Sequence, residues 1–126
     1  MKKAMQKPPY LLINEQPLQV LPELAVLIGL NEAIVLQQVA RMTQESGEAF
    51  GGHLWVRTTL NEWGKLFPFW SLKTTWRTLQ SLRAKGLLLA ETHDDVPTDR
   101  ALWYATDDSA IEALMSGTAE VAKLSS

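Results

Sequence analysis

The chain has no cysteine. That excludes disulfides, thiolate catalysis and cysteine-held zinc or iron–sulfur centres, and it suits a cytoplasmic setting. It also lacks a long hydrophobic run. The segment Leu24–Leu30 is far shorter than a membrane span needs, so no membrane partner is expected. The basic start Met1-Lys2-Lys3 is broken by Pro8 and Pro9 before any signal-peptide core develops. Histidine is sparse: His53 and His93 stand far apart with no HExxH pattern, so both read as surface or strand residues. Gly47 and Gly51-Gly52 match no phosphate-binding loop. Asp94, Asp95 and Asp99 lack the glycine and terminal glutamate of a calcium loop and read as a solvated turn. No nucleophile–base constellation and no internal repeat is visible. The expectation is therefore no enzyme, no metal and no cofactor.

What is present is enough for one core. Of 126 residues 46% are hydrophobic and five are tryptophan, which fits a single domain that folds alone. The expected layout is a flexible arm over 1–9, a domain over 10–116 and a loose tail over 117–126. The net charge of −2 hides an uneven distribution. Residues 57–86 carry Arg57, Lys65, Lys73, Arg77, Arg83 and Lys85 against Glu62 alone. Residues 87–126 carry Arg100 and Lys123 against Glu91, Asp94, Asp95, Asp99, Asp107, Asp108, Glu112 and Glu120. A basic block thus precedes an acidic third.

Local signals place the elements. Tyr10–Val20 reads as extended. Its Leu11–Ile13 segment either joins a small sheet or pairs with a second copy as a homodimer. Pro22 opens a helix that Gly29 ends, and Asn31 is the expected cap of a second, over Glu32–Gln44. Ser46-Gly47 stops that helix, Gly51-Gly52 marks a loop, and Leu54–Val56 is a short strand. Thr59 and Glu62 form a capping box ahead of Leu60, Trp63, Leu66 and Phe67 at helical spacing. Pro68 breaks that helix. Ser71 caps the next, Leu72–Lys85, which Gly86 stops. Leu72, Trp76, Leu79 and Leu82 form its apolar side; Lys73, Thr74, Arg77, Ser81 and Ala84 fall opposite. Strands over Leu87–Thr92 and Leu102–Ala105 flank the turn Asp94–Asp99. Asp107, Asp108 and Ser109 cap a last helix that Gly117 breaks. Among the aromatics, Trp63 and Trp76 are expected in the core and Trp55 and Trp103 in the sheet. The competing reading of Phe67, Phe69 and Trp70 with them is a stacking platform for single-stranded DNA.

Helix, helix, strand, helix, tight turn, helix, strand, turn, strand is the order of a winged helix-turn-helix, mainly α with a small β-sheet. In such a module the second helix of the pair enters the major groove of double-stranded DNA. Its outer residues Lys73, Thr74, Arg77 and Ser81 suit that role. Arg77 can pair bidentately with guanine, and Ser71, Lys73 and Thr74 sit at the positive end of the helix dipole. Arg57, Lys65 and Lys85 are candidates for flanking phosphates. The alternatives are a transcriptional regulator of the same fold, or a winged helix in a replisome scaffold that binds proteins and does not read bases.

The stretch is more specific still. Asn61-Glu62-Trp63, Leu66-Phe67-Pro68-Phe69-Trp70-Ser71, Thr74, Arg77-Thr78-Leu79, Leu82 and Lys85-Gly86-Leu87-Leu88 stand together, behind Ile28–Ala33 and Leu36-Gln37-Gln38. Over about residues 18–90 this resembles the N-terminal winged-helix domain of phage and plasmid replication initiators and replisome organisers, including DnaD-like proteins. The resemblance implies DNA binding in replication initiation, with replication proteins as partners. It places DNA contacts at Ser71, Lys73, Thr74, Arg77 and Ser81. The acidic turn Asp94–Asp99 departs from a phosphate-gripping wing. No second, helicase-recruiting domain is present in these residues, so either an excised domain or a stand-alone regulator is expected.

Overall fold

The computed structural model describes residues 18–92 and 101–125, with side chains up to residue 117. The arm 1–9, the segment Leu11–Ile13 and the acidic turn Asp94–Asp99 lie outside the described residues.

Helix α1 spans Pro22–Ile28 and buries Leu24 and Ile28. The proline sits in its first turn, where a missing N–H is harmless. At Gly29 the chain bends by 120° into α2, Leu30–Ser46. The expected cap Asn31 lies inside α2 instead. The reason is the glycine, whose φ of 107° few side chains tolerate. Its N–H donates to Ala25 O while its own carbonyl accepts from Ala33 N. One residue therefore closes the first helix and opens the second, leaving no donor for a cap at 31 to satisfy. Gln37 Oε1 accepts from Leu21 N at 2.7 Å and ties the entry of α1 to the flank of α2. Helix α2 is the central support, touching α1, the sheet and the second long helix. No single helix among the described residues is long and apolar enough to cross a membrane.

After Gly47 the chain forms a hairpin of β1, Glu48–Phe50, and β2, His53–Thr58. The glycines expected in a loop are its two-residue turn, Gly51 at φ 56° and Gly52 at φ 83°. Two left-handed residues in succession match the strand twist, which is why a Gly-Gly pair fits here. Strand β1 is only three exposed residues long, too short to show an alternating pattern. The Trp55 indole N–H donates to Phe50 O across the turn at 2.9 Å.

Helix α3, Leu60–Leu66, begins with both halves of the capping box: Glu62 N donates to Thr59 Oγ1 at 3.1 Å and Thr59 N to Glu62 Oε1 at 2.8 Å. Its end leads directly into a turn at Pro68 in which Trp70 N donates to Phe67 O at 3.2 Å. Ser71 then caps α4, Leu72–Ala84, by accepting from Thr74 N. That helix closes with paired bonds, Leu87 N to Leu82 O and Gly86 N to Arg83 O, around Gly86 at φ 75°. This is the glycine-dependent ending expected from the sequence.

Strands β3, Leu88–Glu91, and β4, Leu102–Thr106, complete a four-stranded antiparallel sheet of order β1-β2-β4-β3. The row Val56–Tyr104–Ala90 packs on the core, and the adjacent row is Arg57–Trp103–Glu91. Helix α5, Asp108–Ser125, starts at Asp107, whose carboxylate accepts from Ala110 N at 3.0 Å. It runs through Gly117 rather than stopping there, so the expected loose tail is helical backbone as far as Ser125. A glycine weakens a helix by about 1 kcal/mol relative to alanine but does not forbid it.

Trp63, Phe67, Leu36, Leu79 and Leu82 fill the centre. Trp63 stacks on Phe67 at 5.9 Å and meets Tyr104 at 82° and 5.3 Å. Helices α3 and α4 approach closely at Gly64, where an added Cβ would lie 2.7 Å from Leu72 Cδ2. The architecture is mainly helical with a small antiparallel sheet, as expected.

Candidate nucleic-acid interface

Helix α4 buries Thr75, Thr78, Leu79 and Leu82. At about 100° per residue, these four define its inner face. Lys73, Arg77, Gln80 and Ala84 then lie opposite, with Thr74 and Ser81 on one flank and Leu72 and Trp76 on the other. This differs from the expected apolar side in one respect. Leu72 and Trp76 are 44% and 42% exposed, and two threonines sit inside in their place. The buried hydroxyls are satisfied locally: Thr75 Oγ1 donates to Ser71 O at 3.3 Å and Thr78 Oγ1 to Thr74 O at 2.8 Å. A threonine that returns its hydroxyl to its own helix presents mainly a methyl to its neighbours. Sequence patterning counts that residue as polar and so places the apolar side one step round the helix.

The proposed contacts divide accordingly. Lys73 and Arg77 are exposed on the outer face. Thr74 and Ser81 are half-buried beside them. Ser71 stands at the helix start, where its hydroxyl is engaged with Thr74: it accepts from the backbone N–H and donates to Oγ1, each at 3.1 Å. Its role is to fix the start of the helix rather than to reach outward. Lys85 folds back so that its ammonium donates to Ser81 Oγ at 2.9 Å. Lys65 is exposed in the last turn of the neighbouring α3. Arg57 belongs to a different surface. It lines a depression with Met42 and Ser46 of α2, Glu48, Trp55 and Trp103, which includes no residue of α4.

Charge on α4 is of one sign: the helix contains Lys73, Arg77 and Arg83 and no acid. Among the described residues, Lys65, Lys73, Arg77, Arg83 and Lys85 form no ion pair. Arg83 hydrogen-bonds Gln80 Oε1 at 3.4 Å. These cations are exposed, and none has an acidic partner within ion-pair distance among the described residues.

Three further side chains belong to this surface and were not singled out by charge. Phe69 in the turn is 59% exposed, and with Leu72 and Trp76 it follows an i, i+3, i+7 spacing. Phe69 leans on Trp70 at 5.0 Å, while Phe67 beneath them is fully buried. Of the two tryptophans expected in the core, Trp63 is there and Trp76 is not. Trp76 instead borders an open groove of about 410 Å³ with Leu60, Leu102 and Tyr104. Burial raises the Tyr104 hydroxyl above the ordinary tyrosine range, against smaller lowering effects of the Trp63 indole and the Arg83 guanidinium. The Trp63 N–H reaches no partner at good hydrogen-bond geometry, so its influence on Tyr104 is a weak one. No group of three metal-ligating side chains occurs among the described residues.

No family model, curated protein or solved structure matches this chain.

Proposed function

We propose that the chain is a duplex DNA-binding module of winged helix-turn-helix type, with α4 as the reading helix and the β3–β4 hairpin as its wing. The observation that carries this is the outer face of α4, where Lys73 and Arg77 project from a helix without acids. The tight α3–α4 connection and the β2-β4-β3 order behind it support the same reading. An exposed arginine in the first half of such a helix suits guanine O6 and N7. Lys65 and Lys73 suit phosphate. The likeness to DnaD-like N-terminal domains favours replication initiation of phage or plasmid type; transcription control by the same contacts is the neighbouring possibility.

Selection of bound sequences from a random duplex pool tests the reading. Arg77→Ala is expected to lower affinity for the selected site by about 5- to 150-fold, corresponding to about 1–3 kcal/mol, and to relax preference at one base pair. Lys65→Ala is expected to weaken all duplexes alike and to reduce the salt slope by about one. Unchanged affinity and preference in Arg77→Ala would rule out this reading face.

A second reading is a protein-binding winged helix in a replisome scaffold. The open groove bordered by Leu60, Trp76, Leu102 and Tyr104 favours it. It predicts no salt-sensitive duplex affinity, so a steep loss of binding between low and moderate salt excludes it.

A further inference from the structure

We infer that Leu72 and Trp76 form an apolar edge that reads thymine methyl groups next to the base pair contacted by Arg77. This rests on the duplex-binding reading above and adds to it the composition of the preferred site. Leu72 and Trp76 are 44% and 42% exposed at the N-terminal half of α4, and Phe69, just before the helix, is 59% exposed. Each borders a cation in sequence, Leu72 beside Lys73 and Trp76 beside Arg77, so about 100° of helix rotation separates each apolar side chain from its charged neighbour. The strip is therefore mixed: apolar on one edge, cationic at the centre.

That mixture selects among occupants. An apolar protein surface that spread from Leu72 and Trp76 onto the outer face of α4 would also cover Lys73 and Arg77, and a buried cation without a partner is costly. The major groove of DNA accommodates both halves. Phosphates and guanine edges meet the cations, and the thymine C5 methyl is the apolar group that the four bases present there. Guanine, cytosine and adenine present no methyl there, only donors and acceptors, which an aliphatic side chain or the face of an indole does not satisfy. Thymine, whose O4 acceptor is accompanied by the C5 methyl, is thus the base at which this edge gains apolar contact.

The test uses the full 126-residue chain and the duplex recovered from the random pool, with each thymine replaced singly by deoxyuridine, which removes only the methyl. At one or two positions flanking the Arg77-dependent base pair, the replacement is expected to lower affinity by about fourfold, the transfer value of one methyl-sized group. In Trp76→Ala or Leu72→Ala the same replacement is expected to change nothing at that position. Neither side chain belongs to the buried core cluster, and the two variants serve as independent readouts should one fold poorly. An unchanged affinity at every deoxyuridine position, with Arg77→Ala still impaired, overturns the methyl contact and leaves the duplex reading standing. Absence of any selected duplex, or indifference to Arg77→Ala, removes both. Tighter binding to the single strand than to its duplex, lost in Trp76→Ala, would assign Trp76 to base stacking and overturn the inference.

Discussion

Helices α2 and α4 are both packed into the same core, yet they are built differently. Helix α2 buries Ala33, Val35, Leu36 and Val39, with Thr43 near its end. Helix α4 buries Leu79 and Leu82 together with Thr75 and Thr78, and leaves a leucine and a tryptophan outside. In α2 the hydrophobic pattern and the burial agree through the middle of the helix and depart only at its ends, where Leu30 is 57% exposed and Thr43 is buried. In α4 they disagree by about one step around the helix. Local rules that fail at one element and hold at its neighbour point to a surface with a second task. Here the failing element is also the one whose outer face carries cations with no ion pair among the described residues.

The contrast is broken or sharpened by unfolding measurements in urea. Leu36→Ala in α2 and Leu79→Ala in α4 are expected to cost about 2–5 kcal/mol each, because both side chains are essentially enclosed. Trp76→Ala is expected to cost at most about 1 kcal/mol; a loss as large as that of Leu79→Ala would mean that the tryptophan belongs to the core after all. Thr78→Val changes stability by less than about 1 kcal/mol, since only a hydroxyl already bonded to its own helix is removed. The smallest effect concerns Tyr104, on the groove it shares with Trp76. Its hydroxyl titrates above the ordinary value of 10.0 in the folded chain because burial disfavours the phenolate. The unfolded chain therefore releases that proton first. The contribution is complete below the ordinary tyrosine value and is lost as pH rises through the folded one. Tyr104→Phe is expected to flatten that alkaline decline. Trp76→Ala, by opening the groove, is expected to make that decline smaller and to end it at lower pH.

The termini of the helices were the most legible part of this molecule. Pro22, the Thr59–Glu62 box, Ser71 and Gly86 all act where the sequence places them, since each signal depends on bonds within a few residues. The failures have equally local causes. Asn31 is a good cap that goes unused because Gly29 already supplies the backbone bonds at the junction. Strand β1 is defined by pairing with β2, including Glu48 opposite Trp55, and not by its own composition. The inward threonines of α4 were invisible to a hydrophobicity pattern because their hydroxyls are neutralised by the helix that carries them. Within the candidate site, the charged residues Lys73 and Arg77 could be found from sequence. The apolar Leu72 and Trp76 could not, because an exposed tryptophan and a buried one are written with the same letter.

The contact between Gly64 and Leu72 gives this arrangement an unusual property under mutation. Alanine favours a helix by about 1 kcal/mol over glycine in its interior, so a screen for thermal stability across α3 would tend to enrich alanine at position 64. The added methyl would lie 2.7 Å from Leu72 Cδ2, and the side chain that yields is exposed and free to rotate away. The folded scaffold would tolerate the change while one edge of the reading helix was re-aimed. Under the duplex-binding proposal, position 64 would then tune base preference from a residue that touches no base, and a sturdier variant would emerge with an altered choice of site.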